Sequence, residues 1–219
     1  MKKFALILLF VLVSTLFVGC NNKADDNKSN VDIDLVGAWQ LEDESHTEYY
    51  IFTKDAQVKV VRGSVSFEGE ADFKVNADGS RTYTSNFYYM AGELDYTIDG
   101  NKATFDNGQG TIQTLKKAEY VTPELKVYED FDSKNPLIGT WANAEYNDSY
   151  TFNSDGTASY TMDFGELEYV SRIDYTYIEK DGKVYFTYDA GEGSQELVST
   201  YEISDDTLVF DGSAEYTRQ

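Results

Sequence analysis

Beyond residue 35, apolar and polar side chains alternate one by one along much of the chain. Ala158, Tyr160, Met162 and Phe164 alternate with Thr157, Ser159, Thr161 and Asp163, and Leu197, Ser199, Tyr201 and Ile203 alternate with Val198, Thr200 and Glu202. A period of two belongs to strands with one buried face. Turn-forming residues interrupt the runs at Asn153-Ser154-Asp155-Gly156, Lys180-Asp181-Gly182, Ser204-Asp205-Asp206 and Asp211-Gly212, the chemistry of tight hairpins. After Cys20, no stretch shows the helical period over a useful length. The pattern predicts an antiparallel meander.

The meander is written twice. Gly37 and Trp39 are separated from Gly139 and Trp141 by one and the same interval, and these are the two tryptophans of the chain. Tyr50-Ile51-Phe52 answers Tyr150-Thr151-Phe152, Asp72-Phe73-Lys74-Val75 answers Asp174-Tyr175-Thr176-Tyr177, and Ala103-Thr104-Phe105-Asp106 answers Leu208-Val209-Phe210-Asp211. Ordered self-similarity at a fixed period marks a repeated structural unit. Both prolines, Pro123 and Pro136, fall between the copies, where a strand interior is excluded. The expected organisation is a leader at 1–19, a cysteine and polar spacer at 20–35, a first repeat at 36–117, a linker at 118–136 and a second repeat at 137–219. Each repeat holds about eight short strands without a helix, and closure into a barrel removes exposed edges. The predicted fold class is all-β: two tandem small antiparallel up-and-down β-barrels after an N-terminal signal segment. A pair of open sandwiches is the alternative.

Gly139-Thr140-Trp141 followed by Tyr150-Thr151-Phe152-Asn153-Ser154-Asp155-Gly156 resembles the small tandem lipocalin-like (calycin-type) domains of bacterial lipoproteins. That pattern has a Gly-Thr-Trp start and an aromatic-x-Phe-x-x-Asp-Gly hairpin. The first repeat departs from it at Ala38 and Ala56. The resemblance implies that each tryptophan plugs the closed end of a barrel beneath a basic side chain from the last strand, Arg218 over Trp141 and Lys116 over Trp39. It also implies an open mouth of the kind that binds small apolar ligands.

The first residues carry an address. Lys2 and Lys3 precede a run, Phe4 to Val18, that is apolar apart from Ser14 and Thr15. The run falls short of the roughly 20 residues of a membrane-spanning helix and fits a secretory signal. Leu16-Phe17-Val18-Gly19-Cys20 resembles a bacterial lipoprotein signal, with Phe17 standing where leucine is usual. The resemblance implies cleavage before Cys20, diacylation of its thiol, and a protein held at the cell membrane on the extracytoplasmic side, because paired acyl chains anchor stably. An ordinary signal peptide with an incidental cysteine is the alternative. Cys20 is the single cysteine, so no internal disulfide can form. Asn21 to Asn30 is polar and cannot bury a core, which suits a spacer.

Charge narrows the partners. With 39 acidic against 18 basic side chains the net charge is −21, and removal of Lys2 and Lys3 with the leader makes it more negative. Such a surface repels nucleic acid and anionic headgroups, so no nucleic acid partner is expected. Catalysis is not expected. His46, the one histidine, lies among acids near the start of the first repeat and reads as a surface residue. No nucleophile elbow, zinc pair or phosphate loop occurs. The aspartate-rich turns lack the ligand spacing of a calcium loop, and neither metal nor cofactor is expected.

The inward positions of the second repeat are large: Tyr150, Phe152, Tyr160, Met162, Tyr175, Tyr177, Phe186, Tyr188 and Tyr201. They either fill a small barrel or line one that holds a single ligand. Tyrosine in place of phenylalanine points to a partly wet interior, because a buried hydroxyl needs a partner. Tyr160, Tyr175, Tyr177, Tyr188 and Tyr201 are the candidate ligand contacts. Two functions remain open: a non-catalytic binding module for a small apolar or amphipathic ligand, or an envelope protein- or glycan-interaction module with solid cores. The second predicts outward-facing aromatics gathered in a patch.

Overall fold

The computed structural model describes residues 31–42, 47–87 and 90–219. The chain is all-β, and no α-helix occurs among the described residues. The strands of the second half are β10 (Gly139–Asn143), β11 (Asp148–Phe152), β12 (Thr157–Asp163), β13 (Tyr169–Lys180), β14 (Lys183–Asp189), β15 (Ser194–Ser204), β16 (Thr207–Phe210) and β17 (Ala214–Arg218). Each pairs antiparallel with the next. β17 returns to β10 through Trp141↔Arg218 and Ala142↔Thr217. The ring is a closed eight-stranded antiparallel barrel, not an open sandwich.

The first half contains β1 (Gly37–Leu41), β2 (Tyr49–Phe52), β3 (Gln57–Arg62), β4 (Val65–Glu70), β5 (Asp72–Val75), β6 (Arg81–Ser85), β7 (Gly92–Asp99), β8 (Lys102–Asp106) and β9 (Thr111–Lys117). Two antiparallel ladders run through it, β9–β1–β2–β3–β4 and β5–β6–β7–β8–β9. Between β4 and β5 the chain is interrupted at Ala71, whose N–H donates to the Ala56 carbonyl at 2.9 Å.

The long β13 shows what that interruption does. Its first part pairs with β12, and its last residues pair with β14. The edge this leaves open is occupied by β4, in a register from Tyr169↔Gly69 to Ile173↔Val65. One continuous sheet, β3–β4–β13–β12, therefore joins the two halves. The β3–β4 hairpin tip continues the contact. Ser64 N–H donates to Asp189 O at 2.6 Å, Asp174 N–H donates to Ser64 O at 2.9 Å, and Arg62 Nη2 lies 2.5 Å from Glu192 Oε1. The first half thus supplies a piece of wall to the second. The exchange is mutual, because Tyr169 of the second half is buried in the apolar cluster of the first against Phe87 at 5.9 Å and Phe67 at 6.4 Å.

Both tryptophans are fully buried and donate from Nε1 to a backbone carbonyl four residues earlier, Trp39 to Leu35 and Trp141 to Leu137, at 2.7 Å in each case. The Arg218 guanidinium lies 4.0 Å from the Trp141 ring centroid. Gly139 explains the glycine of the triplet: its φ is +130°, and a Cβ there would stand 3.1 Å from Arg218 Nη1. Over Trp39 the cation is Lys117, at 5.3 Å, which corrects the assignment to Lys116. Lys117 is the residue in register with Trp39, whereas Lys116 faces Gln40, and a one-residue step turns a strand side chain to the opposite face. Lys117→Ala is expected to lower stability by about 0.5–1 kcal/mol in urea unfolding, and Lys116→Ala to stay within about 0.5 kcal/mol.

The strand-free stretch after β9 does not hang loose. Tyr120 packs on Tyr49 at 5.2 Å, Phe131 packs on Tyr177 at 5.1 Å, and Leu137 is fully buried in the second core.

Candidate functional site

The eight-stranded barrel of the second half has two unlike ends. Strand parity points Trp141, Phe152, Tyr177, Val184 and Leu208 into its base, where all are buried. Rings close the space between them, with Phe152 on Tyr177 at 4.9 Å and on Phe186 at 5.9 Å. At the opposite end lies the β10–β11 hairpin, whose last pair is Asn143↔Asp148. Here Tyr150 is the hub. Its ring centroid is 4.7 Å from Tyr160, 5.1 Å from Phe210 and 5.3 Å from Tyr216. Tyr150, Tyr160 and Tyr188 are half-buried, so solvent reaches this mouth while the base is filled.

The candidate residues divide accordingly. Tyr160 is at the mouth, and Tyr175 and Tyr188 stand together at 5.5 Å, Tyr175 buried and Tyr188 bonded through its hydroxyl to Gln195 Oε1 at 3.1 Å. Tyr177 is elsewhere. It is fully buried at the base, donates to Asn153 O at 3.0 Å and accepts from Asn135 Nδ2 at 3.3 Å. Tyr201 is half-buried against the same core and opposite Phe210. Met162, expected inward, is half-buried and lies opposite Asp148.

Asp148 is the residue that pattern reading missed. It sits two positions before Tyr150 and four before Phe152, in phase with the inward side chains, and is 8% exposed. Its Oδ2 accepts from Tyr160 at 2.7 Å and from Tyr216 at 3.4 Å, and its Oδ1 is buried without a partner. A hollow of about 450 Å³ beside the hairpin is bounded by Asn143, Asn147, Asp148, Thr161 and Asp163 among others. The equivalent acid of the first half is Glu48, also buried, which accepts from Tyr50 at 2.7 Å. There Val60 and Leu115 hold the register positions of Tyr160 and Tyr216.

Burial and this carboxylate set the tyrosine acidities. Burial first and the Asp148 charge second push Tyr150 up to about 12. Tyr160 moves upward by burial and then by its hydrogen bond to Asp148, and Tyr216 by burial and then by Tyr150 and Asp148. In the first half burial pushes Tyr83 up to about 12. An unfolded tyrosine ionises near pH 10. The native state therefore keeps protons that the unfolded state loses, so this contribution to stability is complete below about pH 10 and falls as pH rises towards 12. Tyrosinate absorbance is expected to rise late and together with loss of β circular dichroism. Ionisation of all tyrosines near pH 10 in a folded protein would contradict it.

Cys20 and His46 lie outside the described residues, as does the leader. Among the described residues no group of three or more His, Cys, Asp or Glu side chains is placed to hold a metal ion, and no helix is long and apolar enough to cross a membrane. No protein-family model matches the chain, and comparison with curated proteins finds no relative.

Proposed function

We propose that the chain is a lipid-anchored, extracytoplasmic, non-catalytic binding protein built from two tandem lipocalin-like barrels. In this reading β4 and β5 together are the counterpart of β13, so that the first half is a second barrel with one broken strand. The anchor is the acylated Cys20, and the ligand is a small apolar or amphipathic molecule seated at the mouth of the second barrel. The observation that carries the reading is the contrast between the ends of that barrel: fully buried rings below, with Tyr150, Tyr160 and Tyr188 only partly buried above. The seat is accordingly shallow, and Tyr177 is part of the plug beneath it.

The competing reading, an interaction module with solid cores, calls for an outward aromatic patch. Among the described residues the exposed large apolar side chains are mostly aliphatic, and Tyr146, at 61% exposed, is the aromatic one among them. That distribution favours a ligand at the mouth. Native mass spectrometry of the mature protein purified from its own host is expected to show the mass of two acyl chains on Cys20 and a fraction carrying a small adduct. An unacylated protein, or one free of adducts in every preparation, would defeat the proposal.

A further inference from the structure

We infer that the mouth of the second barrel takes an organic cation, an ammonium head held by Asp148 among the faces of Tyr150, Tyr160 and Tyr216. The inference rests on the reading of that mouth as the ligand seat and names the chemistry of its occupant.

A carboxylate removed from water costs several kcal/mol unless it is paired and hydrogen-bonded, and buried polar atoms are nearly always satisfied. Asp148 is satisfied on one side only. Two hydroxyls serve Oδ2, Oδ1 is buried without a donor, and no described Lys or Arg forms an ion pair with it. What surrounds the acid is aromatic instead, with Tyr150 in ring contact with both Tyr160 and Tyr216. A desolvated carboxylate inside a group of electron-rich rings is the arrangement that attracts an alkylammonium, because the ring faces stabilise a cation that has few hydrogen bonds of its own.

The two halves supply an internal comparison. Both bury an acid at this register, but in the first half Val60 and Leu115 stand where the second has Tyr160 and Tyr216. The first-half acid, bonded to Tyr50, thus lacks the second and third tyrosines, and the three-ring group is particular to the second half. Asp148 can also be approached from outside the barrel, where it borders a hollow walled by Ala142, Ser149, Thr161 and Thr217, the outward neighbours of the inward side chains. A hard divalent ion is a poor match. Calcium takes six to eight oxygens and magnesium a near-ideal octahedron, and the acid cluster that would supply them is missing among the described residues. The long-range field agrees with a cationic occupant, because the net charge of −21 raises the local concentration of cations.

The test titrates the full mature chain with choline, with butylammonium and with dimethylbutanol, the neutral carbon isostere of choline, following tyrosine ring resonances and heat. The expected result is one saturable site for an ammonium in the micromolar to millimolar range, with the isostere weaker by at least about tenfold. Preference for choline over butylammonium identifies a quaternary head, and the reverse order a primary amine. Asp148→Asn is expected to abolish that discrimination, whereas Glu48→Gln leaves it intact. If Asp148→Asn fails to fold, the comparison of choline with its isostere on the unaltered chain still decides. Equal binding of both would overturn the cation while leaving a mouth ligand in place. Absence of binding by either ammonium would overturn the inference outright, and host-purified adducts would then judge the wider reading separately.

Discussion

Trp141→Ala is expected to lower the unfolding free energy by about 3–5 kcal/mol. The indole is fully buried, so its loss removes a large apolar surface and leaves a cavity at the base that rigid strands cannot collapse to fill. Its Nε1–H donates to Leu137 O, and that carbonyl would be left without its donor. Above it the Arg218 guanidinium lies 4.0 Å from the ring centroid while donating to Ile138 O at 2.9 Å and Pro136 O at 3.1 Å. Arg218 thus ties the last strand to the segment that enters the first. Without the indole the cation loses its platform, and the β10–β17 seam opens at the point where the barrel closes. Set against a total of roughly 5–15 kcal/mol for a domain, the change leaves a marginal fold. Urea unfolding followed by circular dichroism would show it. Trp141→Phe keeps a ring but loses the donor, and should fall between. A midpoint unchanged by the alanine variant would mean that the indole does not seal the base.

Gly63→Ala is the second large expectation, about 2–4 kcal/mol. Gly63 turns the β3–β4 hairpin with φ +57°, and a Cβ there would run into the Asp189 carbonyl and come within 2.8 Å of Gly191 N. Neither is the end of a flexible side chain that can swing away. The backbone would have to retreat, drawing Ser64 off Asp189 and Asp174 and weakening the ladder between β4 and β13. The signature separates this from ordinary loss of stability. Unaltered protein is expected to unfold in one transition, because the halves share a sheet, and the variant in two. A single transition in both proteins would show that the joint does not couple them.

The parts of this fold that follow from local chemistry were legible in the sequence. Alternation at Ala158, Tyr160 and Met162, and the turn residues at Asp155-Gly156 and Asp181-Gly182, mark strand faces and hairpins without reference to anything distant. Tyr150, Phe152, Tyr160, Tyr175, Tyr177, Phe186, Tyr188 and Tyr201 accordingly all belong to one apolar cluster, whereas Met162, which has the same phase, lies outside it. The sequence did not show what depends on partners far along the chain. Nothing in Val65-Ser66-Phe67 announces that its free edge meets Ser171-Arg172-Ile173, because backbone pairing across an edge is indifferent to side-chain type. Tyr169 likewise looks like a residue of its own half, yet packs into the other. At the mouth, Asp148 carries the phase of an inward side chain but the charge of an outward one, and the charge outweighs the phase in pattern reading. Lys116 and Lys117 are adjacent cations that composition cannot tell apart. A shift in the β8–β9 register between Phe105 and Asp106 adds to the difficulty of counting back from the strand end.

The mutual loan of wall between the halves carries a further consequence. A fragment containing one half alone would bare the strand margin that its neighbour now shields, and margins of that kind invite indiscriminate association. Shortened genes encoding a lone unit would therefore yield sticky, poorly soluble products. Once joined, the pair is difficult to separate by deletion, and it should persist as a couple even where only one of the two halves has work to do.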